Sequence, residues 1–220
     1  MGFEVQDADA WFQRNAAALV PARCIQDIVT NVIRERGLLS GDRDGASGHR
    51  DEAIGKGRPL TVIELGASNG WRLDGLRRIA PAHRYIAVEL SGEAVQAGRA
   101  AYPEIKFLEA SIAAVPRPDA CADLIIISFV LHWISREELP GVVAEVDRLL
   151  APGGVLVIAD FWPSENRTVP YHHRSGVWTF KTDYSLLWTA GETYALDTVT
   201  PFPDAGNGER CAVWMLRKNV

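Results

Sequence analysis

The sequence predicts a doubly wound α/β fold, a mainly parallel seven-stranded sheet that ends in an antiparallel hairpin. Three observations carry this. Short β-branched runs recur at "LTVIEL" (60–65), "YIAVEL" (85–90), "IKFLEA" (105–110), "LIIIS" (124–128) and "GVLVIAD" (154–160). Helix-like segments, "GWRLDGLRRIA", "SGEAVQAGRAA" and "SREELPGVVAEVDRLL", separate them. Strands apolar on both faces that alternate with helices imply a parallel sheet covered on both sides. The tail supplies the last two strands, "ETYALDTV" and "RCAVWMLRK", joined by the turn-rich "TPFPDAGNGE" as an antiparallel hairpin.

Taken in order, the chain begins with apolar residues at helical spacing between Trp11 and about Arg36 (Trp11, Ala18, Val20, Ile25, Ile28, Val32). One or two helices are predicted there, with Pro21 marking a break. Residues 40–59 are rich in glycine and charge without periodicity and read as a flexible loop. The helix signals of the core are regular. Ser135 and Glu138 form a capping box, Pro81 follows the first core helix, and "APGG" (151–154) stops the chain before the fifth strand. Residues 161–191, after that strand, are an aromatic and histidine-rich insertion, a position that in α/β sheets lies beside the ligand crevice. The expectation is one domain over 1–220: helices in 1–39, the loop, a core over 60–160, the insertion, and a hairpin over 192–220.

Composition narrows the function. A chain of 220 residues with 47% hydrophobic content can bury one continuous core, so one site is sought. A net charge of -5 argues against binding polyanions through bulk electrostatics, and no nucleic-acid partner is expected. Cys24, Cys121 and Cys211 have no metal-ligand spacing and read as reduced thiols. The first ten residues lack a signal-peptide pattern, Asp7 stands near where a myristoylation signal needs Ser or Thr, and no run is long enough to span a bilayer. A cytoplasmic protein without a membrane partner, monomeric or homodimeric, is expected.

The most informative stretch is "VIELGASNGWRL" (62–73), where a strand breaks into a small-residue turn before a helix. Such a turn can bring backbone N–H groups and a helix N-terminus to a ligand, and glycine permits close approach. It can also be no more than a tight βα connection, the less favoured reading. The Gly-Lys-Ser/Thr of a P-loop is absent, and Gly66-x-x-x-Gly70 does not fit the dinucleotide fingerprint G-x-G-x-x-G. Glu64 suits an ammonium group better than phosphates, and Glu89, ending the second strand, stands about where a ribose-binding acid is expected. Together they ask for a nucleoside ligand with a cationic, phosphate-free tail.

With these residues the chain, from about Leu60 onward, resembles the class I S-adenosylmethionine-dependent methyltransferases, whose fold is Rossmann-like. The acid-x-Gly-x-Gly-x-Gly motif matches Glu64, Gly66 and Gly70, with Ser68 in place of the middle glycine. Glu89 matches the acid closing the second strand; "FLEASIAAVP" places Ala110 and Ser111 where Gly-Asp is frequent; "ADLIIISFVLHWI" and "LLAPGGVLVIAD" match the fourth and fifth strands. The resemblance implies S-adenosyl-L-methionine as cofactor and S-adenosyl-L-homocysteine as product. Glu64 and the turn Gly66, Ala67, Ser68, Asn69, Gly70 would hold the methionine moiety and Glu89 the ribose. Leu90, Ala110, Ser111 and Ile112 would surround the adenine, and Ser128 and Phe129 would lie near the sulfonium. Leu90 and Ile112 also suit plain core positions. The N-terminal "WFQRN" (11–15) is expected, by analogy with the family, to form part of a lid.

Methyl transfer is an in-line displacement in which alignment supplies much of the rate, and a base is needed where the acceptor must lose a proton. His132, just beyond the fourth strand, and His172 and His173 in the insertion are the candidates, although a histidine at 132 can also be structural. Trp133, Tyr171, Arg174 and Trp178 are candidates for the acceptor site. The insertion's aromatics (Trp162, Tyr171, Trp178, Phe180, Tyr184, Trp188) could wall an acceptor or form a core of their own, and Arg174 and Lys181 could meet an anionic group. Ser128 stands where metal-dependent relatives carry carboxylates, and Asp160 has no evident partner for a divalent ion, so no metal is expected. The expected activity is metal-independent methylation of an O or N atom of a small molecule. The alternatives are a nicotinamide-dependent reductase, for which Tyr102 and Lys106 have the spacing but not the setting, and a non-catalytic cofactor-binding partner.

Overall fold

The computed structural model describes residues 4–39, 54, 57–203 and 208–220. Most of the predicted 40–59 loop lies outside them, as does part of the hairpin turn, residues 204–207. The five β-branched runs form β1 (Thr61–Leu65), β2 (Arg84–Glu89), β3 (Lys106–Glu109), β4 (Ala122–Ser128) and β5 (Leu150–Phe161). Two further strands, β6 (Arg167–Pro170) and β7 (Trp178–Lys181), lie in the insertion, and β8 (Tyr194–Pro203) and β9 (Arg210–Lys218) make the terminal hairpin. The main sheet has seven strands in the order β3-β2-β1-β4-β5-β9-β8. Its first five are parallel, and β9 joins β5 antiparallel, so the predicted doubly wound sheet with its hairpin is the fold observed.

The period-2 alternation of each strand feeds two cores. Ile63, Leu65, Ile125, Ile127, Leu156, Ile158, Trp214 and Leu216 face one side, together with Val142 and Val146 of helix α5 (Leu139–Leu149). Val62, Leu124, Ile126, Val155, Val157 and Val213 face the other. There they meet α2 (Ile28–Glu35) through Val29, Val32 and Ile33, α3 (Trp71–Ile79) through Leu73 and Leu76, and α4 (Gly92–Ala101) through Val95. Fully buried strands of this kind gain from apolar area removed on both faces.

The sequence-based elements shift in three places. Strand β5 begins at Leu150, so the "APGG" expected as a stop before it lies within it. Helix α1 spans Val5–Asn15 and so begins well before Trp11, because its first turn is polar and shows no apolar period; Asp7 reaches back to the Glu4 N–H at 2.9 Å and holds the start. In the insertion, β6 and β7 pair as an antiparallel ribbon of four residues each, too short to stand out within an aromatic segment. Tyr184 and Trp188, the latter on α6 (Leu186–Thr189), are buried in the first core. Among the described residues, no helix is long and apolar enough to cross a membrane.

Candidate functional site

The strand order reverses direction between β1 and β4, and open α/β sheets bind ligands outside the carboxyl ends of strands at such a point. The chain leaving β1 there is the Gly66–Gly70 turn. Gly66, Ser68 and Gly70 have φ of +76°, +50° and +76°, so every second residue is left-handed. The glycine motif is thus a backbone pattern, and Ser68 adopts it at a cost that glycine would not incur. A Cβ on Gly66 would strike the Val130 side chain beyond β4, and one on Gly70 would lie 2.6 Å from Phe107 Cζ of β3.

The turn's amides point inward. Gly66 and Ala67 donate to the Val88 carbonyl at 2.8 and 3.1 Å, Gly70 to Ala67 O at 2.9 Å, Trp71 to the Asn69 side chain at 3.3 Å, and Ser68 to Glu89 Oε2 at 2.7 Å. Few donors are left to cradle phosphates, which disfavours a dinucleotide by geometry as well as by spelling. Asn69 also donates from Nδ2 to Leu19 O at 3.0 Å, so its side chain ties the N-terminal segment to the turn.

Two buried carboxylates flank this turn. Glu89 also accepts the N–H groups of Leu90 and Ser91 at 2.7 and 2.9 Å; burial raises its pKa against these bonds. Glu64 is 1% exposed, and burial pushes its pKa up to about 7 despite Arg72, which pairs with Oε1. Its Oε2 is buried without a partner, as is the Ser68 hydroxyl. Arg72, from the first turn of α3, also binds Asp27 at 2.9 Å and the Ser128 hydroxyl at 3.2 Å, and its ring neighbour is Trp71. Burial opposes ionisation of Asp27, yet the Arg72 charge holds its pKa below the ordinary value. Neither Arg72 nor Asp27 was singled out from sequence. An arginine within two residues of the glycine turn is the signal that could have marked it.

On the adenine side expected from the resemblance, Leu90 and Ala110 are half-buried, Ile112 is part of the core, and Ser111 is exposed with its hydroxyl accepting from the Ala113 N–H at 3.2 Å. Phe129, just past β4, has φ +55°, a strained conformation for a bulky residue of the kind that clusters at functional sites. Its ring packs edge-on to His132, Phe161 and Phe202 at 6.3, 5.5 and 6.2 Å.

His132 and Asp160 form the second cluster. The imidazole Nδ1 lies 2.9 Å from Asp160 Oδ1, both side chains are buried, and Asp160 also accepts the Phe161 N–H at 2.8 Å and the His132 N–H at 3.3 Å. Such a carboxylate fixes the tautomer with Nδ1 protonated and leaves Nε2 as the basic nitrogen. Asp160 closes an apolar strand as Glu89 does, which is the sequence signal for it. Among the described residues, no group of three or more His, Cys, Asp or Glu is placed to hold a metal ion.

The remaining candidates are Trp133, next to His132, and residues of the insertion. Trp133 packs at 4.8 Å against His132 and at 4.5 Å against Tyr171, which is half-buried and has a pKa raised by burial. His172 and His173 are exposed and pack tilted against each other and edge-on against Tyr171, away from hydrogen-bonding contact with the buried pair. Arg174 is bound to Asp7 and Glu4 of the α1 start, so its charge is already matched by acids of this chain. Lys181 pairs with Glu209 and sits over the Phe161 ring, and Trp178 is 45% exposed. Helix α1 is held on its other side by Ser91 Oγ, which donates to Asp9 at 2.6 Å, and by Gln13, which donates to Glu93. It therefore bridges the residues after Glu89 and the insertion.

Residues 63–158 match the family described as a methyltransferase domain. A malonyl-[acyl-carrier protein] O-methyltransferase of Halorhodospira halophila is 30% identical over 123 residues, 54% of this chain and 39% of that protein. The chain spans well under two thirds of the length of the curated relatives it matches, 39%, 41% and 57% in three of them. Among solved structures, a SAM dependent methyltransferase from Aquifex aeolicus aligns with a TM-score of 0.63 at 17% identity, covering 94% of this chain and 97% of that one. The 1,6-didemethyltoxoflavin-N1-methyltransferase of Burkholderia thailandensis, with bound 1,6-didemethyltoxoflavin and S-adenosylhomocysteine, aligns at 0.61 and 20% identity over 86% and 89%.

Proposed function

We propose that this chain, whose residues 63–158 match a methyltransferase domain and whose fold aligns with that of a SAM dependent methyltransferase, methylates an O or N atom of a small-molecule acceptor without a metal. The observation that carries the cofactor assignment is the unpartnered, buried Glu64 Oε2 beside an inward-bonded turn. A buried carboxylate oxygen without a donor is costly, and an ammonium group satisfies it where a phosphate would be repelled. Glu64 and the backbone of the Gly66–Gly70 turn would hold the methionine end, and Glu89, which already accepts three N–H groups, retains one acceptor site on Oε2 for a ribose hydroxyl. When bound, S-adenosylmethionine supplies an electrophilic methyl group.

In this proposal His132 Nε2 takes the proton that the acceptor atom releases. Asp160 orients the ring and stabilises the imidazolium that results, the role a buried carboxylate plays beside a general base. Phe129, Phe161 and Trp133 surround the imidazole and exclude water from it. The similar proteins are named for chemically unlike acceptors, malonyl-[acyl-carrier protein] and 1,6-didemethyltoxoflavin, so similarity alone does not choose one. The direct test is calorimetry and thermal shift with S-adenosylhomocysteine, NAD and NADP. Binding of S-adenosylhomocysteine alone is expected; a response only to the nicotinamides would overturn the proposal.

A further inference from the structure

A pocket of about 230 Å³ lies between α1 and the loop after β6, lined by Asp7, Arg14, Tyr171, His173 and Arg174 among others. Its charges are unevenly spent. Arg174 is matched by Asp7 and Glu4, and Asp7 Oδ2 also accepts the Glu4 N–H at 2.9 Å. Arg14 has no carboxylate within ion-pairing distance among the described residues; its guanidinium donates to the Tyr171 hydroxyl oxygen. Because that oxygen accepts from Arg14, the tyrosine's own O–H proton has no acceptor among the described residues.

One unmatched guanidinium and one unspent phenol donor therefore converge in the pocket. Two donors, one of them a guanidinium outside any ion pair among the described residues, suit a monoanion, and the planar guanidinium fork matches a carboxylate. The Asp7 carboxylate on the same wall works against a dianionic phosphate. From the pocket, Tyr171 packs edge-on against Trp133 and Trp133 lies tilted against His132, so the two sites are joined by flat rings. We propose that the pocket binds a carboxylate carried by a planar acceptor, through Arg14 and Tyr171, while another O–H or N–H group of the same molecule reaches His132. The methylated atom is that second group, because a carboxylate held by a guanidinium is a weakened nucleophile. This inference rests on the methyl-transfer proposal above for the role of His132.

The test uses 4-hydroxybenzoate and its neutral isostere 4-hydroxybenzamide as probes, titrated against the full chain by calorimetry with and without S-adenosylhomocysteine. The acid should bind about tenfold more tightly than the amide, the scale of one charge-assisted hydrogen-bonded contact. Arg14→Gln should abolish that preference, Arg14→Lys should keep part of it, and Tyr171→Phe should weaken the acid alone, all with unchanged affinity for S-adenosylhomocysteine. Equal binding of acid and amide by the wild type, or an undiminished preference in Arg14→Gln, overturns the inference. Absence of S-adenosylhomocysteine binding to the wild type instead overturns the methyl-transfer proposal, and the acid–amide comparison made without it still decides the pocket.

Discussion

Replacing Ser68 by glycine should make the protein more stable, and the structure allows the size of the gain to be worked out. Ser68 is buried with φ +50°, and its hydroxyl has no partner. A left-handed conformation costs an L-residue about 1–2 kcal/mol. An unsatisfied buried polar group costs about 1–3 kcal/mol. Glycine removes both but loses about 0.5–1 kcal/mol more chain entropy on folding. The amide bond from residue 68 to Glu89 survives the change. A net stabilisation of about 1–4 kcal/mol follows, with Tm rising by about 2–4 °C for each kcal/mol in a chain of this size. Equilibrium urea unfolding of wild type, Ser68→Gly and Ser68→Ala measures it. The alanine variant loses the orphan hydroxyl but keeps the strained backbone, so it should fall between the other two. S-adenosylhomocysteine affinity should be unchanged in the glycine variant, because the backbone contacts of the turn persist. A glycine variant less stable than wild type would refute the assignment of strain and of an unpaired hydroxyl at this position.

Four further outcomes are expected. Gly70→Ala combines a left-handed φ with a Cβ 2.6 Å from Phe107 and should cost about 2–4 kcal/mol in urea unfolding, with Phe107→Leu in the same chain recovering part of it. Glu89→Ala strips the acceptor from three backbone N–H groups, so it should destabilise the fold by about 2–4 kcal/mol as well as weaken S-adenosylhomocysteine; unaltered stability would show that the turn does not depend on that carboxylate. Glu64 has a pKa pushed up to about 7 in the free protein, and an ammonium ligand favours its ionised form and lowers that value. Cofactor binding between about pH 5 and 7 should therefore release a proton, read as a binding enthalpy that varies with buffer ionisation enthalpy, and a buffer-independent enthalpy at pH 6 would refute it. His132→Gln should lower methyl transfer to an identified acceptor by about 10²–10⁴-fold while leaving S-adenosylhomocysteine affinity unchanged, and a drop in both would mark the residue as structural.

Much of the fold was legible because its causes are local. The β-branched runs became β1 to β5, the tail became the β8–β9 hairpin, and the glycine spelling located the left-handed turn, since strand period and backbone conformation are written in neighbouring residues. Glu89 could be picked out by the same means, as an acid at the end of an apolar strand. The pairings that complete the site were not legible in this way. Asp160 meets His132 across 28 residues, Arg72 meets Asp27 across 45, and Arg174 holds Asp7 across 167. The inward bonding of the turn amides and the burial of Tyr184 and Trp188 likewise appear only in three dimensions. The sequence by itself determined the strand and helix order, the switch-point turn and the acids at the strand ends, because propensity and hydrophobic period act over a few residues. Only the tertiary structure decided which carboxylate faces which cation and which hydrogen-bonding atoms remain unspent, because those pairings depend on where distant segments meet and on the cost of leaving a charge unpaired once water is excluded.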